Sequence, residues 1–531
     1  MDMAGELGLL SAHIPEAYGG MGLDTNTNTI ISEEIGKGGG SFNTTFAAHT
    51  GIGMLPILYF GTEEQKQKYL PILGSGEWKA SYCLTEPSSG SDALAAKTRA
   101  DLSEDGKHYL VSGQKMWITN AGFADIMIVF AQVDGDKFTG FLVETKSDGL
   151  TVGAEEKKLG IKGSSTRQVF FDKVKVPVEN VLGEIGKGHL IAFNVLNVGR
   201  FKLGNMCMGG AKSACTVSVK YANERHQFKQ PISNFGAIKH KLAEQAIKTF
   251  ALESAVYRIS NLLQLQKNAL VESGLSIEEA LLKAAEEYAI ECAISKIAGS
   301  EYLDYISDEM LQIHGGYGFS EEYPAAMVFR DQRINRIYEG TNEINRMLMI
   351  NMLLKRAASG AIDMVGPAWE VQKALTKMPS MAKPEGTFGI HDKALEDFKN
   401  LTLMVLGAAG KMQMDGDLNL KDEQEILMHG ADLLSGVFMA ESLLLRIKKL
   451  EGMETSASKE IYHAMLSTFF ADLNAQMAKS ASDALNSFAT GDLLKTFLLG
   501  VKRFTGYPST NTTALRRKIA AHLIEKNAYD L

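Results

Sequence analysis

A strand-rich segment interrupts a sequence whose hydrophobic pattern is otherwise helical. Between residues 77 and 185, short apolar runs are separated by turn-forming triplets such as 104–106 (Glu-Asp-Gly) and 134–136 (Asp-Gly-Asp). The continuously apolar run Ile126–Ala131 predicts a buried strand, and residues 138–143 predict a half-buried one. Several short strands at this spacing predict a small antiparallel barrel or sandwich.

The flanking segments have the spacing of helices. Leu252, Val256, Ile259 and Leu263 recur on one helical face, and the run that begins at Ser276 opens with glutamates that suit a helix N-terminus. A stretch with Gly and Pro then separates two helical regions. The predicted fold is mostly α with a central β domain, divided into an N-terminal helical domain (1–76), a β-barrel domain (77–185), a helical domain (186–358), a linker (359–390) and an appended helical domain (391–531).

Composition narrows the classes of function. The chain has 531 residues and a net charge of -8, which argues against a nucleic-acid-binding protein. No apolar run is long enough to span a bilayer, although contact with a membrane surface stays open. Four scattered cysteines without a C-x-x-C pair argue against a disulfide framework and a structural zinc site. Rossmann and P-loop motifs are missing, so a nucleotide site of either kind is not indicated. No H-E-x-x-H motif or EF-hand loop is present, so nothing predicts a metal ion.

Five segments carry residues that suit a binding or catalytic site, but each has an ordinary structural explanation. The loop 82–92 offers hydroxyls to a ligand, or simply caps its own turn. Trp117 is a wall for a planar cofactor or a buried aromatic residue, and Arg225 is a phosphate contact or a surface salt bridge. The glycines of 315–318 permit close approach of a ligand or form a helix C-cap. Glu339 suits a general base or an acid that complements a helix dipole.

Taken in their order along the chain, these segments resemble the acyl-CoA dehydrogenase family. The matching segments are YCLTEPSSGSD, KMWITNAG, STRQVFFDKVKVP, RHQF, QIHGGYGF and YEGTNEINR, and the resemblance runs from about residue 5 to about residue 355. It implies an N-terminal helical domain, a β-barrel domain and a four-helix bundle, with FAD bound where they meet. The region after about residue 360 resembles the appended helical domain of very-long-chain acyl-CoA dehydrogenases and their bacterial relatives.

The resemblance also implies which residues hold the cofactor and the substrate. The flavin contacts within one subunit fall on Tyr82, Leu84, Thr85, Gly90, Ser91, Trp117, Ile118, Thr119, Thr341 and Glu343. The residues that reach the FAD of the neighbouring subunit are Arg225, Gln312 and Gly316. The substrate contacts fall on Ser91, Asn197, Arg200, Tyr338 and Gly340. At the position of Glu343, relatives often carry Gln or Asp.

Glu339 matches the catalytic base of the family. The implied reaction is the α,β-desaturation of a long-chain fatty acyl-CoA to the trans-2-enoyl-CoA, the first step of β-oxidation, in which Glu339 takes the α-proton and FAD takes the β-hydride. The isovaleryl branch carries its base on the helix beside Arg200, where this chain has Gly199. The implied electron acceptor is an electron-transfer flavoprotein. An acyl-CoA oxidase and a non-catalytic scaffold protein on the same fold stay open as alternatives.

Small residues favour a deep acyl pocket. These are Thr44, Thr45, Ala47 and Ala48, of which Ala48 aligns with a closing Glu of medium-chain members. The resemblance further implies a homodimer. Because the chain begins at the GELGLL helix, we expect an N-terminal domain shortened at its start. The expected location is the bacterial cytoplasm, or the mitochondrial matrix if a targeting segment has been removed.

Overall fold

The computed structural model describes residues 1–375, 377 and 384–531. The chain divides into two compact units, each assembled from three segments. The first unit consists of Met1–Gly210, Ile259–Ser300 and Ala326–Thr341, and the second of Ala211–Arg258, Glu301–Ala325 and Asn342–Leu531. The division into five parts made from the sequence is finer than these two units, and it stays a prediction.

Short helices open the first unit. They are α1 (Asp2–Glu6), α2 (Thr25–Gly36), α3 (Gly40–Ala47), α4 (Leu55–Phe60) and α5 (Glu63–Gly74), and a π-helical turn, Ala48–Gly53, follows α3. Asp24 caps α2 by accepting from the backbone N–H of Thr27, and Thr62 forms a capping box with Gln65 at the start of α5. These local contacts determine where the two helices begin.

Eight strands follow and form one hydrogen-bonded sheet. They are β1 (Ala80–Cys83), β2 (Arg99–Leu102), β3 (His108–Thr119), β4 (Ile126–Val133), β5 (Lys137–Glu144), β6 (Leu150–Glu155), β7 (Thr166–Pro177) and β8 (Val181–Leu182). The order is β6-β7-β3-β2-β4-β5-β8, and β1 also pairs with β4. The expectation of a purely antiparallel sheet is wrong at β4, because β1 and β2 pair with it in parallel. The intervening strands provide the long crossover that parallel pairing requires.

Strands β4 and β5 are buried on both faces. Ile128 belongs to an apolar cluster with Tyr69 and other residues of α4 and α5, and Val129 belongs to a second cluster with residues of β3 and β7. This double burial explains the continuous apolar run Ile126–Ala131. It also corrects the expectation for residues 138–143, all six of which are buried rather than alternately exposed.

Helices make up most of the following residues. They are α6 (Gly188–Glu224), α7 (Gly236–Glu272), α8 (Ile277–Glu287), α9 (Ala289–His314), α10 (Gly316–Phe319), α11 (Pro324–Gln332) and α12 (Asn342–Ala358), and a small hairpin of β9 (His226–Gln227) and β10 (Gln230–Pro231) separates α6 from α7. The predicted apolar face of α7 is buried. Ser276 forms a capping box with Glu279 at the start of α8, which confirms the helix start predicted there.

The last helices belong to the second unit. They are α13 (Val365–Leu375), α14 (Gly389–Asp415), α15 (Gln424–Leu450), α16 (Lys459–Phe488), α17 (Gly491–Phe504) and α18 (Thr512–Lys526). Helix α13 lies within the range predicted as a linker, and Thr376 and residues 378–383 of that range lie outside the described residues. Ion pairs join α7 to the appended helices: Glu253 contacts Arg446 at 3.0 Å, and Glu244 contacts Arg516 at 2.7 Å. The predicted class, mostly helical with a β region in the middle, is confirmed.

Candidate active site

Two successive residues with left-handed backbone form the turn before α12. Glu339 has a φ of 58° and Gly340 a φ of 77°. Glycine adopts this conformation easily, whereas a residue with a side chain does so at a cost in free energy. The surrounding contacts must therefore hold Glu339 in place, and such held strain is common at functional sites.

The residue of α6 that lies against the Glu339 carboxylate is Gly199, which has no side chain. A methyl group on Gly199 would lie 2.6 Å from Oε2 of Glu339, so the carboxylate occupies the space beside Gly199. The next residue, Arg200, is buried and donates from Nε to the backbone carbonyl of Glu339 at 3.3 Å. Arg200 also donates to Oδ1 of Asn197 at 2.7 Å. Of the predicted substrate residues, Arg200 thus bonds the turn itself, and Asn197 bonds Arg200.

A second buried cation contacts the same turn from α9. The side chain of Lys296 is fully buried, and its Nζ donates to the backbone carbonyl of Gly340 at 2.8 Å. The sequence analysis missed Lys296, because a lysine within a helical pattern does not reveal which remote turn it will reach.

The carboxyl group of Glu339 is tuned for proton exchange near neutral pH. Burial raises its pKa from 4.5 to about 7, although the positive charges of Arg200 and Lys296 act in the opposite direction. Burial and the charge of Glu339 together raise the pKa of the Tyr82 hydroxyl, and burial raises that of Tyr338. A carboxylate with this pKa can act as a general base at physiological pH.

Helix α3 connects the Glu339 turn with the end of strand β3. The Thr44 side chain hydrogen-bonds the hydroxyl of Tyr338, which also donates to Oδ1 of Asn335 at 2.7 Å. One residue later, the carbonyl of Thr45 accepts a hydrogen bond from Nδ2 of Asn120 at 3.0 Å. Thr44 and Thr45 of α3 therefore contact the residue before the Glu339 turn and the residue after β3, the strand that carries Trp117.

A buried ion pair anchors the loop 84–92 after β1. Nζ of Lys115 lies 2.7 Å from Oε1 of Glu86 and also donates to the carbonyl of Leu84 at 3.1 Å. The Glu86 carboxylate accepts from the backbone N–H of Thr98 at 3.0 Å as well. Because Lys115 belongs to β3, the pair fixes the start of the loop against the strand that ends at the predicted flavin wall.

The tip of this loop is open to solvent. Oγ of Ser89 donates to the carbonyl of Asp92 at 2.6 Å, so the turn partly caps itself. Gly90 and Ser91 are exposed. Among the described residues, no heavy atom apart from the chain neighbours of Gly90 lies within 4 Å of a Cβ placed on it. The tip therefore has room for a bulky ligand.

Trp117 is exposed rather than packed in the core. It is 60% exposed and has a left-handed φ of 57°. Exposure of so large an apolar surface on a costly backbone conformation favours a cofactor wall over buried aromatic packing. The side chain of Ile118 is buried in the sheet core, so only its backbone is available to a ligand, and Thr119 is half-buried.

Most of the other predicted cofactor residues lie in the second unit, whereas Thr341 ends the first. The guanidinium of Arg225 lies 5.1 Å from the centre of the Tyr317 ring. Gln312, Gly316 and Glu343 are exposed. These three residues are accessible to a ligand within their own unit.

Membrane-spanning helices and metal-binding clusters were sought in residues 1–375, 377 and 384–531, and neither is present. No helix there is long and apolar enough to cross a membrane. No three His, Cys, Asp or Glu side chains in the same ranges are grouped so that they could hold a metal ion.

Comparison with known proteins identifies the family. Models of the acyl-CoA dehydrogenase N-terminal, middle and C-terminal domains match residues 1–77, 81–174 and 186–354, and a further acyl-CoA dehydrogenase C-terminal domain matches 397–503. A probable acyl-CoA dehydrogenase of Bacillus subtilis is 44% identical over 529 residues, which are 99% of this chain and 88% of that protein. The chain belongs to the acyl-CoA dehydrogenase family.

Two further acyl-CoA dehydrogenases are similar to this chain over different lengths. The mitochondrial very long-chain specific acyl-CoA dehydrogenase of Homo sapiens is 42% identical over 353 residues, which are 65% of this chain and 51% of the human protein. A crystal structure of an acyl-CoA dehydrogenase complexed with FAD from Bacillus anthracis has a TM-score of 0.94 at 44% identity, over 100% of this chain and 90% of that one. The resemblance predicted from the motifs is confirmed.

Proposed function

We propose that this protein is a long-chain acyl-CoA dehydrogenase in which Glu339 removes the α-proton of a fatty acyl-CoA, giving the trans-2-enoyl-CoA. The observation that carries the proposal is the Glu339 turn. Its backbone is held in a costly conformation, and its carboxyl is buried with a pKa of about 7. A base with this pKa is ionised in a useful fraction at neutral pH and still accepts a proton from carbon more readily than an ordinary carboxylate does.

FAD is the cofactor of this enzyme, as in the family, and when bound it accepts the hydride from the β-carbon. The residues present fit a planar, phosphate-bearing group. The Tyr82 hydroxyl is buried and, within the described part of the chain, has no hydrogen-bond partner. Trp117 offers an exposed aromatic face, and Gly90 leaves open space at the loop tip. A buried hydroxyl of this kind is costly unless a ligand satisfies it.

Each proposed cofactor contact lies in one of the two units. The first unit supplies Tyr82, Leu84, Thr85, Gly90, Ser91, Trp117, the backbone of Ile118, Thr119 and Thr341. In the second unit we assign Arg225, Gln312 and Gly316 to the FAD of a partner subunit, and Glu343 stays a prediction of the family resemblance. This assignment requires at least the homodimer that the resemblance implies.

We assign the predicted substrate residues to two groups. Ser91, Tyr338 and Gly340 remain contacts for the acyl-CoA itself. Arg200 and Asn197 bond each other, and Arg200 bonds the carbonyl of Glu339, so we assign this pair to holding the catalytic turn. This assignment differs from the substrate contact that the resemblance implies, and it is supported by the hydrogen bond from Nε of the buried Arg200 to the Glu339 carbonyl.

The preference for long chains rests on α3 and the turn that follows it. The buried or half-buried residues Thr44, Thr45, Ala47 and Ala48 are small, and α3 continues as the π-helical turn Ala48–Gly53. Wide π turns inside helices are frequent at functional sites. The similarity to the human very long-chain enzyme supports the same preference, but it covers only about half of that protein.

The electron acceptor and the location are parts of the same proposal. We propose an electron-transfer flavoprotein as the acceptor, since this is the partner that the family resemblance implies. A relative that matches almost the whole chain is bacterial, which favours the bacterial cytoplasm over the mitochondrial matrix.

The proposal is tested by the visible spectrum of the flavin in purified protein under anaerobic conditions. We expect palmitoyl-CoA to bleach the flavin band of the parent enzyme faster than octanoyl-CoA does, and Glu339→Gln to bind both without bleaching. Bleaching followed by rapid peroxide formation in air would instead indicate an acyl-CoA oxidase. Bound flavin that no acyl-CoA bleaches would contradict the proposal and favour the scaffold alternative.

A further inference from the structure

Helices α6 and α9 approach each other closely beside the catalytic turn. A methyl group on Gly204 of α6 would lie 1.9 Å from Oγ of Ser295, and one on Gly299 of α9 would lie 3.1 Å from the Cα of Gly204. The two helix backbones therefore come close together at these two glycines. One turn before this contact, α6 carries Arg200, and α9 carries Lys296 directly after Ser295. The crossing thus brings two cations to the same place.

Each cation binds one of the two successive carbonyl groups of the left-handed turn. Arg200 donates to the carbonyl of Glu339, and Lys296 donates to the carbonyl of Gly340. Both side chains are buried. Removing an ammonium group from water is costly, so a fully buried lysine calls for interactions that compensate for the lost hydration.

We propose that Lys296 is a positioning residue for the catalytic base. Together with Arg200 it holds both carbonyl groups of the Glu339–Gly340 turn, which keeps the Glu339 side chain directed at the space beside Gly199. This inference rests on the proposed role of Glu339 as the base, and it adds a residue on α9 that no motif of the sequence contains.

The charge of Lys296 gives it a second effect on the same base. The titratable and charged groups that face Glu339 are Arg200 from α6, Lys296 from α9, Tyr82 from β1 and the adjacent Tyr338. The two cations favour the ionised carboxylate, whereas burial favours the protonated form. Loss of the Lys296 charge therefore raises the pKa of Glu339, and less of the base is ionised at neutral pH.

Three substitutions separate the hydrogen bond from the charge. Lys296→Met removes both, Lys296→Gln removes the charge but keeps an N–H donor, and Lys296→Arg keeps the charge. The matched control is Lys202→Met on α6, which removes another poorly solvated lysine whose Nζ donates to a backbone carbonyl, that of Thr50, at 3.2 Å. Lys202 does not contribute to the pKa of Glu339.

The experiment is the rate of flavin reduction by palmitoyl-CoA in the holoenzyme, measured in a stopped-flow instrument as a function of pH. We expect Lys296→Gln to shift the midpoint of the pH profile of this rate upward by roughly one pH unit. Lys296→Met should show the same shift and also lower the plateau rate about tenfold or more, because the turn is no longer held. Lys296→Arg and Lys202→Met should keep the parent midpoint.

A second readout needs neither turnover nor substrate. The infrared band of the protonated Glu339 carboxyl, obtained as the difference between each protein and the same protein with Glu339→Gln, is titrated with pH. An unchanged carboxyl titration in Lys296→Gln, or an equal shift in Lys202→Met, would overturn the inference. If the parent flavin is never reduced but the carboxyl titration shifts as expected, the proposed function fails while the positioning role stands. If Lys296→Met does not fold, the titration of Lys296→Gln still shows whether Lys296 acts on the Glu339 carboxyl.

Discussion

The carboxylate of Glu339 occupies the space that a side chain at position 199 would need. A methyl group on Gly199 would lie 2.6 Å from Oε2 of Glu339, closer than real Cβ atoms approach non-bonded neighbours, and 3.1 Å from Cδ, closer than most of them do. A side chain on α6 at this point would therefore require the Glu339 carboxylate to move from the position that it occupies. The isovaleryl branch of the family, which carries its base at this position on the helix, differs from this chain at Gly199.

The first prediction concerns this contact directly. Gly199→Ala should displace the carboxylate and lower the rate of flavin reduction about a hundredfold, since a shift of about 1 Å in a catalytic group costs that much. The matched control is Gly410→Ala in α14, where the added methyl group meets Leu354 at an ordinary 3.5 Å. Equal rates for Gly199→Ala and the parent would show that the carboxylate can move without loss.

The raised pKa of Glu339 also predicts a pH dependence of stability. In the unfolded chain this carboxyl loses its proton near its ordinary pKa of 4.5, whereas in the folded protein it does so near 7. Between these values the unfolded state binds fewer protons, so the free energy of unfolding falls as pH rises. Glu339→Gln should remove this part of the pH dependence. Urea unfolding of both proteins from below pH 4.5 to above pH 7 measures it, and parallel curves would contradict the burial of the carboxyl.

The buried pair Lys115–Glu86 should contribute far more to stability than the exposed pair Lys68–Glu144, which joins α5 to β5. Lys115→Met leaves the Glu86 carboxylate buried without its cation, and we expect a loss of about 3 to 5 kcal/mol in the free energy of unfolding. Weaker FAD binding should accompany it, because Lys115 also holds the carbonyl of Leu84.

The comparison variant for that experiment is Lys68→Met. Lys68 and Glu144 lie 2.8 Å apart, but their side chains are 56% and 38% exposed. Removing this pair should cost less than about 1 kcal/mol and leave FAD affinity unchanged. Chemical denaturation and flavin titration of both variants check the prediction, which fails if the two substitutions have equal effects.

A substitution in the turn after α3 tests the chain-length preference. Ala48 is buried at the first position of the π-helical turn, so Ala48→Leu should fill space intended for the distal part of the acyl chain. We expect the ratio of kcat/KM for palmitoyl-CoA to that for octanoyl-CoA to fall by about tenfold to a hundredfold, in line with the discrimination that apolar pockets achieve. The octanoyl-CoA rate serves as the internal control. An unchanged ratio would place the end of the acyl chain elsewhere.

Local sequence patterns predicted helices correctly where residues close together in the chain determine the structure. The face of Leu252 and Val256 is buried, and the capping box of Ser276 begins α8, because helix spacing and caps depend on nearby residues. The run from Ser276 nevertheless divides at Tyr288 into α8 and α9, a break without any Gly or Pro to mark it.

Contacts between residues far apart in the chain could not be predicted from such local patterns. The parallel pairing of β1 with β4 and the burial of residues 138–143 depend on which elements cover each face of the sheet. The motifs placed Glu339 and Trp117 among the candidates, but the left-handed backbone of both residues became visible only in three dimensions. Lys296 carries no motif, and its role follows from a helix crossing that no local spacing encodes.

The most direct test of the central assignment is the single-turnover rate of flavin reduction by palmitoyl-CoA as a function of pH, with Glu339→Gln beside the parent. The account predicts that the parent rate rises through pH about 7 to a plateau, as the buried carboxyl loses its proton, and that the variant binds flavin and substrate but shows no reduction. Reduction of the Glu339→Gln flavin at the parent rate, with the same pH profile, would contradict the assignment of Glu339 as the base.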